Sequence, residues 1–361
     1  VEPQLFFIAQ LAAVVLLFEA GLETDRDQFM KYVRPATAVA AGGVILPFLM
    51  GFAATVMLGF ADMDSIEGMI PALFVGAIMT ATSVGITARV LADIRRLDSP
   101  EGVTVLAGAV VDDVLGIIIL AIVVGMADEG EVTAGSIGLI FIKAVGFWLG
   151  LLVLGSLVSK QISRVVLWFK SAGGALVLAL ALAFIASAVA EIYFGLAMII
   201  GAYTMGLALS STELKHQVED SMRSVNNFLV PIFFVVIGMQ VDFSAFGAGD
   251  TSLMSAVIFA IVLTIFAVIS KLVGAGVPAL FVGFNRTGAT RIALGMLPRG
   301  EVALIIAGIG LTSGVIGQDV FGVAIVMTVI TTLLAPVFLI PAFKGGSGLK
   351  NAEKNETETE E

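Results

Sequence analysis

The sequence predicts an all-α, polytopic membrane protein, and three observations carry that prediction. Apolar residues make up 58% of the 361 residues and charged residues only 13%, whereas about 25% of the residues in a soluble domain are charged. The mean hydropathy of +1.06 is typical of the membrane class. Apolar stretches of roughly 20 residues follow one another along the chain, and this is the length that a helix needs to cross a bilayer.

About eleven of these stretches are predicted to span the membrane. They are residues 5–23, 35–60, 69–91, 101–126, 134–158, 172–190, 191–210, 226–241, 252–282, 288–312 and 319–343. Every second loop between them carries Lys and Arg, and the intervening loops are acidic or neutral. Because cytoplasmic loops are enriched in Lys and Arg, this alternation supports the count. It predicts a multi-pass protein of the cell (plasma or inner) membrane, with its N-terminus outside and its C-terminus in the cytoplasm.

Composition narrows the classes of function. Residues 1–343 are predicted to form the membrane domain, and residues 344–361 a disordered, acidic cytoplasmic tail. The chain has no Cys, one His and a formal net charge of −10, which argues against Cys- or His-built metal sites and against nucleic acid as a partner. The sequence contains no nucleophile–base set and no metal motif. We therefore expect a protein that is not an enzyme and that uses no cofactor.

Two of the predicted spans are interrupted. The third contains residues 79–87 (Met-Thr-Ala-Thr-Ser-Val-Gly-Ile-Thr) and the tenth contains residues 295–301 (Gly-Met-Leu-Pro-Arg-Gly-Glu). Proline removes a backbone donor and glycine loosens a helix, so both segments are predicted to be unwound. They lie seven spans apart, so they cross the membrane in opposite directions. Paired discontinuous helices are typical of inverted-repeat transporters, although an ordinary proline kink would explain either one alone.

Three charged residues lie deep inside apolar spans. Asp112 and Asp113 interrupt the apolar run 103–126, and Lys271 lies within the ninth span. A charge at the centre of a bilayer costs at least about 2.5–3.5 kcal/mol, so such residues mark functional sites and find partners. Adjacent helix positions point about 100° apart, so the two carboxylates are expected to have different tasks. Alternatives are a structural polar cluster for the aspartates and snorkelling of Lys271 to the interface.

Other polar residues in the spans complete the candidate site. Thr82 and Ser83 offer hydroxyl and unwound carbonyl oxygens to a hard cation, or bond back to their own helix. Glu191, Arg299 and Glu301 are read as a structural ion-pair network that holds the broken tenth span.

With these residues in view, the chain resembles the second family of monovalent cation:proton antiporters. It looks most like the NapA-type sodium/proton exchangers, which share a fold with NhaA. The motifs that carry the resemblance are Ala81-Thr82-Ser83-Val84, Val111-Asp112-Asp113-Val114-Leu115-Gly116, Ser270-Lys271, Pro298-Arg299-Gly300-Glu301-Val302 and Phe18-Glu19-Ala20-Gly21-Leu22-Glu23. The resemblance implies an NhaA-like inverted-repeat fold with two crossing discontinuous helices, and it covers nearly everything before residue 344.

The resemblance also implies roles for single residues. Asp113 would be the main carboxylate for cation and proton, and Asp112 would pair with Lys271 when the ion is absent. Na⁺ would bind at Asp113, Asp112, Ser83 and Thr82. Members of the family are homodimers, and two helices that normally precede the segment beginning here contribute to the dimer interface. We therefore expect a homodimer and a chain that lacks the first two helices of the family.

The expected function is secondary active exchange of Na⁺ or Li⁺ for H⁺ across the cell membrane, in the service of pH homeostasis. In the family that the chain resembles, the double aspartate is associated with electrogenic exchange, so the resemblance implies electrogenic exchange by alternating access, with protons and cations competing for the aspartates. The alternatives are a K⁺/H⁺ antiporter of the Kef type, an ion channel, and a sodium-coupled transporter of organic solutes. Coupling of flux to a pH gradient separates the antiporter from a channel, and the sequence offers few further polar groups for an organic solute.

Overall fold

The computed structural model describes residues 3–23, 26–128, 142–143, 145–155, 157, 161, 173–196, 198–210, 212, 214–239 and 253–350. The described residues are mainly helical. In chain order the helices are α1 (Pro3–Glu23), α2 (Arg26–Met57), α3 (Ile66–Thr80), α4 (Val84–Asp93), α5 (Pro100–Asp128), α6 (Val145–Gly155), α7 (Gly174–Phe194), α8 (Met198–Leu209), α9 (Leu214–Met239), α10 (Leu253–Phe281), α11 (Arg286–Gly295), α12 (Glu301–Thr312) and α13 (Gln318–Ala342).

The helices confirm the predicted membrane class. Within the described residues, six helical segments are long and apolar enough to cross a membrane, namely Met30–Met57, Glu67–Asp93, Pro100–Leu120, Gly174–Phe194, Leu253–Phe281 and Gln318–Ala342. Each of the eleven predicted spans contains at least one helix, although residues 134–141 of the fifth lie outside the described residues. The number of helices that cross the bilayer remains a prediction.

Two predicted boundaries were wrong, and both errors have a physical reason. Helix α2 begins at Arg26 and not near Pro35, because it accommodates Pro35 and Pro47 within its length, as membrane helices often do. The division predicted near Glu191 falls instead at Gly195, whose φ of 67° ends α7 in the left-handed conformation. Glycine adopts that conformation without steric cost, so it ends the helix more effectively than the charge of Glu191.

The described helices belong to two compact units. The first comprises Val1–Lys31, Leu91–Ser99 and Gly138–Gln240, and in it α1 packs against α8 and α9 while α7 packs against α8. Helices α1 and α8 approach backbone to backbone, because Gly21 faces the Tyr203 carbonyl and Gly206 faces the Phe18 carbonyl. Small residues permit such close packing where lipid removes the hydrophobic driving force.

The second unit comprises Tyr32–Val90, Pro100–Ile137 and Val241–Glu361. In it α3 packs against both α5 and α12, and α10 packs against α11 and α13. The apolar core lies among α3, α10, α12 and α13, and its fully buried members include Phe74, Met79, Phe259, Ile306 and Met327. This core holds the two interrupted helices in place.

The interruptions lie where the sequence predicted them. Helix α3 ends at Thr80 and α4 begins at Val84, while α11 ends at Gly295 and α12 begins at Glu301. Pro298 cannot donate a backbone hydrogen bond, and the N-cap residue Gly300 has no side chain to cap α12. The backbone groups of both gaps therefore need partners from other helices.

The second unit extends beyond the predicted end of the membrane domain. Residues 343–350, here called the strap, lie against α10 and α11: Lys350 N donates to Gly283 O at 3.1 Å and Phe284 pairs with Leu349 in an antiparallel bridge. The predicted tail 344–361 thus includes a segment that is part of the unit. Residues 351–361 lie outside the described residues.

The close contact of α1 and α8 gives a first testable prediction. A methyl group at Gly206 would overlap the Phe18 carbonyl and lie 2.8 Å from Leu22 N, so we expect Gly206→Ala to destabilise the protein by about 1–3 kcal/mol through overpacking. The measurement is thermal unfolding in detergent.

Gly150→Ala is the matched control, since a methyl group at Gly150 would meet no atom within 4 Å. It should leave the melting temperature unchanged or raise it, because Ala favours helix by about 1 kcal/mol over Gly. Equal melting temperatures for the two variants would contradict the close packing of α1 on α8.

Candidate functional site

The two aspartates lie side by side in the middle of α5. Asp112 is 1% exposed and Asp113 is 4% exposed. Consecutive helix residues point about 100° apart, so the two carboxylates leave α5 in different directions, as the sequence predicted. Asp113 also acts on Lys271 through its charge.

Lys271 is the direct partner of Asp112. Its Nζ lies 3.3 Å from Asp112 Oδ1, and both side chains are fully buried. The same ammonium donates to the Thr80 carbonyl at 2.8 Å. The carbonyl at the end of α3 thus belongs to the surroundings of this ion pair. Lys271 does not snorkel, because its charged end is buried among protein groups.

Two glycines of α2 lie close to the lysine. A methyl group at Gly43 would lie 3.7 Å from Lys271 Nζ, and one at Gly42 would overlap the Gly274 carbonyl on α10. The backbones of α2 and α10 therefore touch close to the ammonium. An isolated buried charge of this kind would be costly without the carboxylate and carbonyl that surround it.

The two interrupted segments are joined by hydrogen bonds. Ser83 N donates to Pro298 O at 2.8 Å, and Thr82 Oγ1 donates to Met296 O at 3.3 Å. Both side chains are buried, with 1% exposure each. The Thr82 hydroxyl also lies close to the Asp112 carboxylate. The structure therefore places Thr82 beside Asp112 and joins Ser83 to Pro298, and a cation site at these residues remains a prediction.

Arg299 also stabilises the junction of the two interrupted segments. This fully buried guanidinium donates from Nη1 to Ala81 O at 2.9 Å and from Nη2 to Ala267 O at 3.4 Å. Ala81 follows directly on the last residue of α3, whose free carbonyls carry partial negative charge. Lys271 and Arg299 together therefore occupy the C-terminal end of α3, where cations are stabilised.

The predicted ion-pair network around Arg299 remains a prediction. Glu191 lies near the end of α7 in the first unit with an exposed side chain, whereas Arg299 belongs to the second unit. The side chain of Glu301 lies outside the described residues. The partners that the structure gives to Arg299 are carbonyl oxygens and, through its charge, Asp112.

Sequence reasoning missed several contributors. Thr87 donates from its hydroxyl to Gly295 O at 2.6 Å and adds a third link between the interrupted helices. Arg291, which the sequence analysis did not single out, is buried, and its Nη1 lies 2.7 Å from Glu101 Oε1. An Arg close to the end of a span resembles an interfacial anchor, so the signal that could have identified it was an acidic residue, Glu101, at the start of the span with the aspartates.

The chemistry of the site is that of oxygen ligands and charge. Two carboxylates, three buried threonine or serine hydroxyls and helix-end carbonyls meet two cationic side chains. Hard cations prefer such oxygens. In the described part of the chain, no group of three or more His, Cys, Asp or Glu side chains is arranged to hold a metal ion. The arrangement can exchange protons or weakly held cations at carboxylates.

Comparison with known proteins agrees with this chemistry. The profile of the family described as sodium/hydrogen exchanger, transmembrane, matches residues 2–345. The high-affinity Na⁺/H⁺ antiporter NhaS3 of Synechocystis is 35% identical over 349 residues, which cover 96% of this chain and 73% of that protein. The Na⁺/H⁺-K⁺ antiporter GerN of Bacillus cereus is 33% identical over 355 residues, covering 96% of this chain and 85% of that protein.

A solved structure supports the fold. The sodium proton antiporter MjNhaP1 from Methanocaldococcus jannaschii superposes with a TM-score of 0.65 and 18% sequence identity, over 93% of this chain and 84% of that one. At this identity the likeness concerns the fold alone.

The buried ion pair gives a second prediction. Lys271→Met should destabilise the protein by about 3–5 kcal/mol, because it leaves the Asp112 carboxylate buried without its ammonium. Replacing both partners, as in Asp112→Leu with Lys271→Met, should recover most of that loss. The measurement is the melting temperature of each purified variant.

Lys344→Met serves as the control, since it removes the same charge from an exposed position in the same unit. It should unfold like the wild type. If the double variant were as unstable as the sum of its single variants, the pair would not be energetically coupled.

Proposed function

The chain belongs to the sodium/hydrogen exchanger family and is a secondary Na⁺/H⁺ antiporter, not an enzyme, and we propose that Asp112 and Asp113 of α5 carry its exchange. The observation that supports this most strongly is the buried Lys271–Asp112 pair beside Asp113, at the junction of two interrupted helices. Intramembrane carboxylates of this kind mark ion pathways and proton relays.

Charge balance explains why exchange follows from this arrangement. At the site, the carboxylates of Asp112 and Asp113 are matched in number by the cations of Lys271 and Arg299; Glu101, Arg291 and Asp319 are further buried charged side chains of the described residues. A Na⁺ ion that binds the carboxylates must release a proton, either from a protonated carboxylate or from the Lys271 ammonium, because an extra uncompensated charge is costly in a water-poor interior. Protons and cations thus compete for the same oxygens, and each drives the other's release without ATP or covalent chemistry.

The residues take different parts in this scheme. Asp113 is the principal carboxylate for Na⁺ and for the proton. Asp112 holds Lys271 while the cation is absent and turns to the cation when it binds. Thr82 and Ser83 add oxygen ligands, since the unwound segment between α3 and α4 brings hydroxyls and carbonyls to the same place. Glu191, Arg299 and Glu301 are proposed to act structurally, by stabilising the broken α11–α12 pair.

Exchange proceeds by alternating access. The eleven predicted spans form an inverted repeat in which the interrupted pairs α3–α4 and α11–α12 cross at the site, as in other transporters with midplane sites. The paired aspartates favour electrogenic exchange. Each net charge that moves draws about 2.3 kcal/mol from every 100 mV of membrane potential.

The finer placement of the protein is part of the same proposal. It is a NapA-type exchanger of the second family of monovalent cation:proton antiporters and works as a homodimer in the plasma or inner membrane. The basic loops place its C-terminus in the cytoplasm. Exchange of Na⁺ or Li⁺ for H⁺ there serves pH homeostasis.

Potassium is the second candidate cargo. GerN, which is 33% identical to this chain, is named a Na⁺/H⁺-K⁺ antiporter. Oxygen ligands alone discriminate weakly between alkali cations, so selectivity depends on the size of the site. A comparison of Na⁺, Li⁺ and K⁺ in one assay separates the two candidates.

The third prediction tests the role of Asp113. Purified protein is reconstituted in liposomes with an imposed pH gradient and an internal pH dye, and Na⁺, Li⁺ or K⁺ is added outside. Wild-type protein should dissipate the gradient on addition of Na⁺ or Li⁺. Asp113→Asn should lose at least nine-tenths of that rate, because its amide neither binds the proton nor neutralises the charge of the cation.

Asp98→Asn is the control, since Asp98 is an exposed aspartate outside the long apolar helices. It should exchange like the wild type. Cation flux without coupled proton movement would indicate a channel. A response to K⁺ alone would favour the second candidate, and no response to any of the three cations would refute the exchanger.

A fourth prediction concerns electrogenicity. In the same liposomes, a membrane potential imposed without a pH gradient should drive proton movement in wild-type protein, in a direction that reverses with the sign of the potential. An electroneutral exchanger would respond to the pH gradient and to Na⁺ but not to the potential.

A further inference from the structure

The face of α5 that carries Asp112 makes contacts along the helix back to its first turn. Glu101, Val105, Gly108 and Asp112 are spaced by four, three and four residues, so they share one face. Asp112 lies roughly 16 Å along the helix from Glu101, at 1.5 Å per residue. Any rotation or shift of α5 at Glu101 therefore also moves the carboxylate in the site.

Helix α11 packs along this face of α5. Arg291 Nη1 lies 2.7 Å from Glu101 Oε1, and a methyl group at Gly295 would lie 2.8 Å from the Val105 side chain. Gly295 O then accepts the Thr87 hydroxyl at 2.6 Å. One helix thus carries the buried carboxylates, and its neighbour carries the carbonyls that bind the interrupted α3–α4 segment.

The Glu101–Arg291 pair is buried, and Arg291 makes further hydrogen bonds to backbone carbonyls. Each side chain is 4% exposed. Arg291 Nε donates to Ala342 O at 2.9 Å and Nη2 donates to Gly346 O at 3.0 Å and to Gly345 O. The guanidinium carbon lies 5.0 Å from the centre of the Phe343 ring. A bidentate, planar cation suits this role better than a lysine ammonium.

The strap closes over the pair. Asn285, the N-cap residue of α11, donates from Nδ2 to Ser347 O at 2.9 Å and from its backbone N to Gly348 O at 3.0 Å. A methyl group at Gly348 would lie 2.7 Å from Gly288 Cα and would overlap the Glu101 carboxylate. Glycine is required there by close approach, so the strap fits the pair without space for a side chain.

We propose that Glu101 and Arg291 are positioning residues for cation exchange: with the strap laid over them, they set the register of α5 against α11 and thereby the geometry of the site. This inference rests on the proposed function, because the affected property is the affinity of the site for Na⁺. Neither residue touches the cation.

The test compares the Na⁺ dependence of exchange in two pairs of variants. Glu101→Gln should raise the apparent KM for Na⁺ at least fivefold while the maximal rate per reconstituted molecule stays within twofold. Thr104→Val is its control, because Thr104 is buried one turn further along α5 and its hydroxyl donates to Pro100 O in its own turn, at 2.7 Å. That variant should keep the wild-type KM.

Gly348→Ala probes the strap independently of the charges. It should raise the apparent KM in the same direction as Glu101→Gln, whereas Gly346→Ala should not, because a methyl group at Gly346 would meet no atom within 4 Å. This pair decides the matter even where Glu101→Gln fails to fold. Calorimetric titration of each protein with NaCl provides a readout of binding that is separate from transport.

The outcomes are distinct. A wild-type KM and a wild-type Na⁺ affinity in both Glu101→Gln and Gly348→Ala would overturn the positioning role and leave the exchanger intact. A lower melting temperature in these variants with an unchanged KM would also overturn the positioning role. Wild-type protein that neither exchanges nor binds a monovalent cation would overturn the proposed function, and this inference with it.

Discussion

Exclusion of water from four charged side chains is the constraint on which the second unit depends. Asp112, Asp113, Lys271 and Arg299 are all at most 4% exposed, and burying a charge is tolerable only when partners and hydrogen bonds replace its hydration. The interruption after α3 meets part of this requirement, because the carbonyls that it leaves free accept hydrogen bonds from Lys271 and Arg299. The carboxylate of Asp112 is compensated by the Lys271 ammonium.

The buried cations and the free carbonyls of an interrupted helix meet at the end of α3. The Thr80 carbonyl accepts from Lys271 and the Ala81 carbonyl accepts from Arg299, so the unsatisfied end of a half-helix and two buried cations stabilise each other. Removal of Lys271 would leave both the Asp112 carboxylate and the Thr80 carbonyl without this compensation, and removal of Arg299 would leave the Ala81 carbonyl without its donor. This mutual dependence explains why a segment with low helical order persists in an apolar unit.

Much of this could be predicted from sequence, because charges and prolines are conspicuous in apolar spans. The positions of α3–α4 and α11–α12, and the choice of Asp112, Asp113 and Lys271, followed from the cost of polar groups in lipid. The carbonyl partners could not be predicted, because every residue has a carbonyl and only the tertiary structure decides which ones face a cation. Arg291 was missed for a related reason. Its four oxygen partners belong to Glu101, the end of α13 and the strap, all of which are far from Arg291 in the sequence. The ends of helices escaped prediction where proline sat inside α2 and where Gly195 ended α7.

The contacts of Lys271 have a consequence for the unloaded protein. Its ammonium touches one carboxylate oxygen and one backbone carbonyl, a coordination like that of a small hard cation held by protein oxygens. The chain therefore contains a covalently tethered mimic of its own cargo. Under the proposed exchange, Asp112 therefore keeps a positive partner when Na⁺ is absent, so the charge beside this carboxylate is similar with and without the cation. Because this mimic, the Lys271 ammonium, is part of the chain, it cannot diffuse away. Every free cation must therefore compete with it for the Asp112 carboxylate.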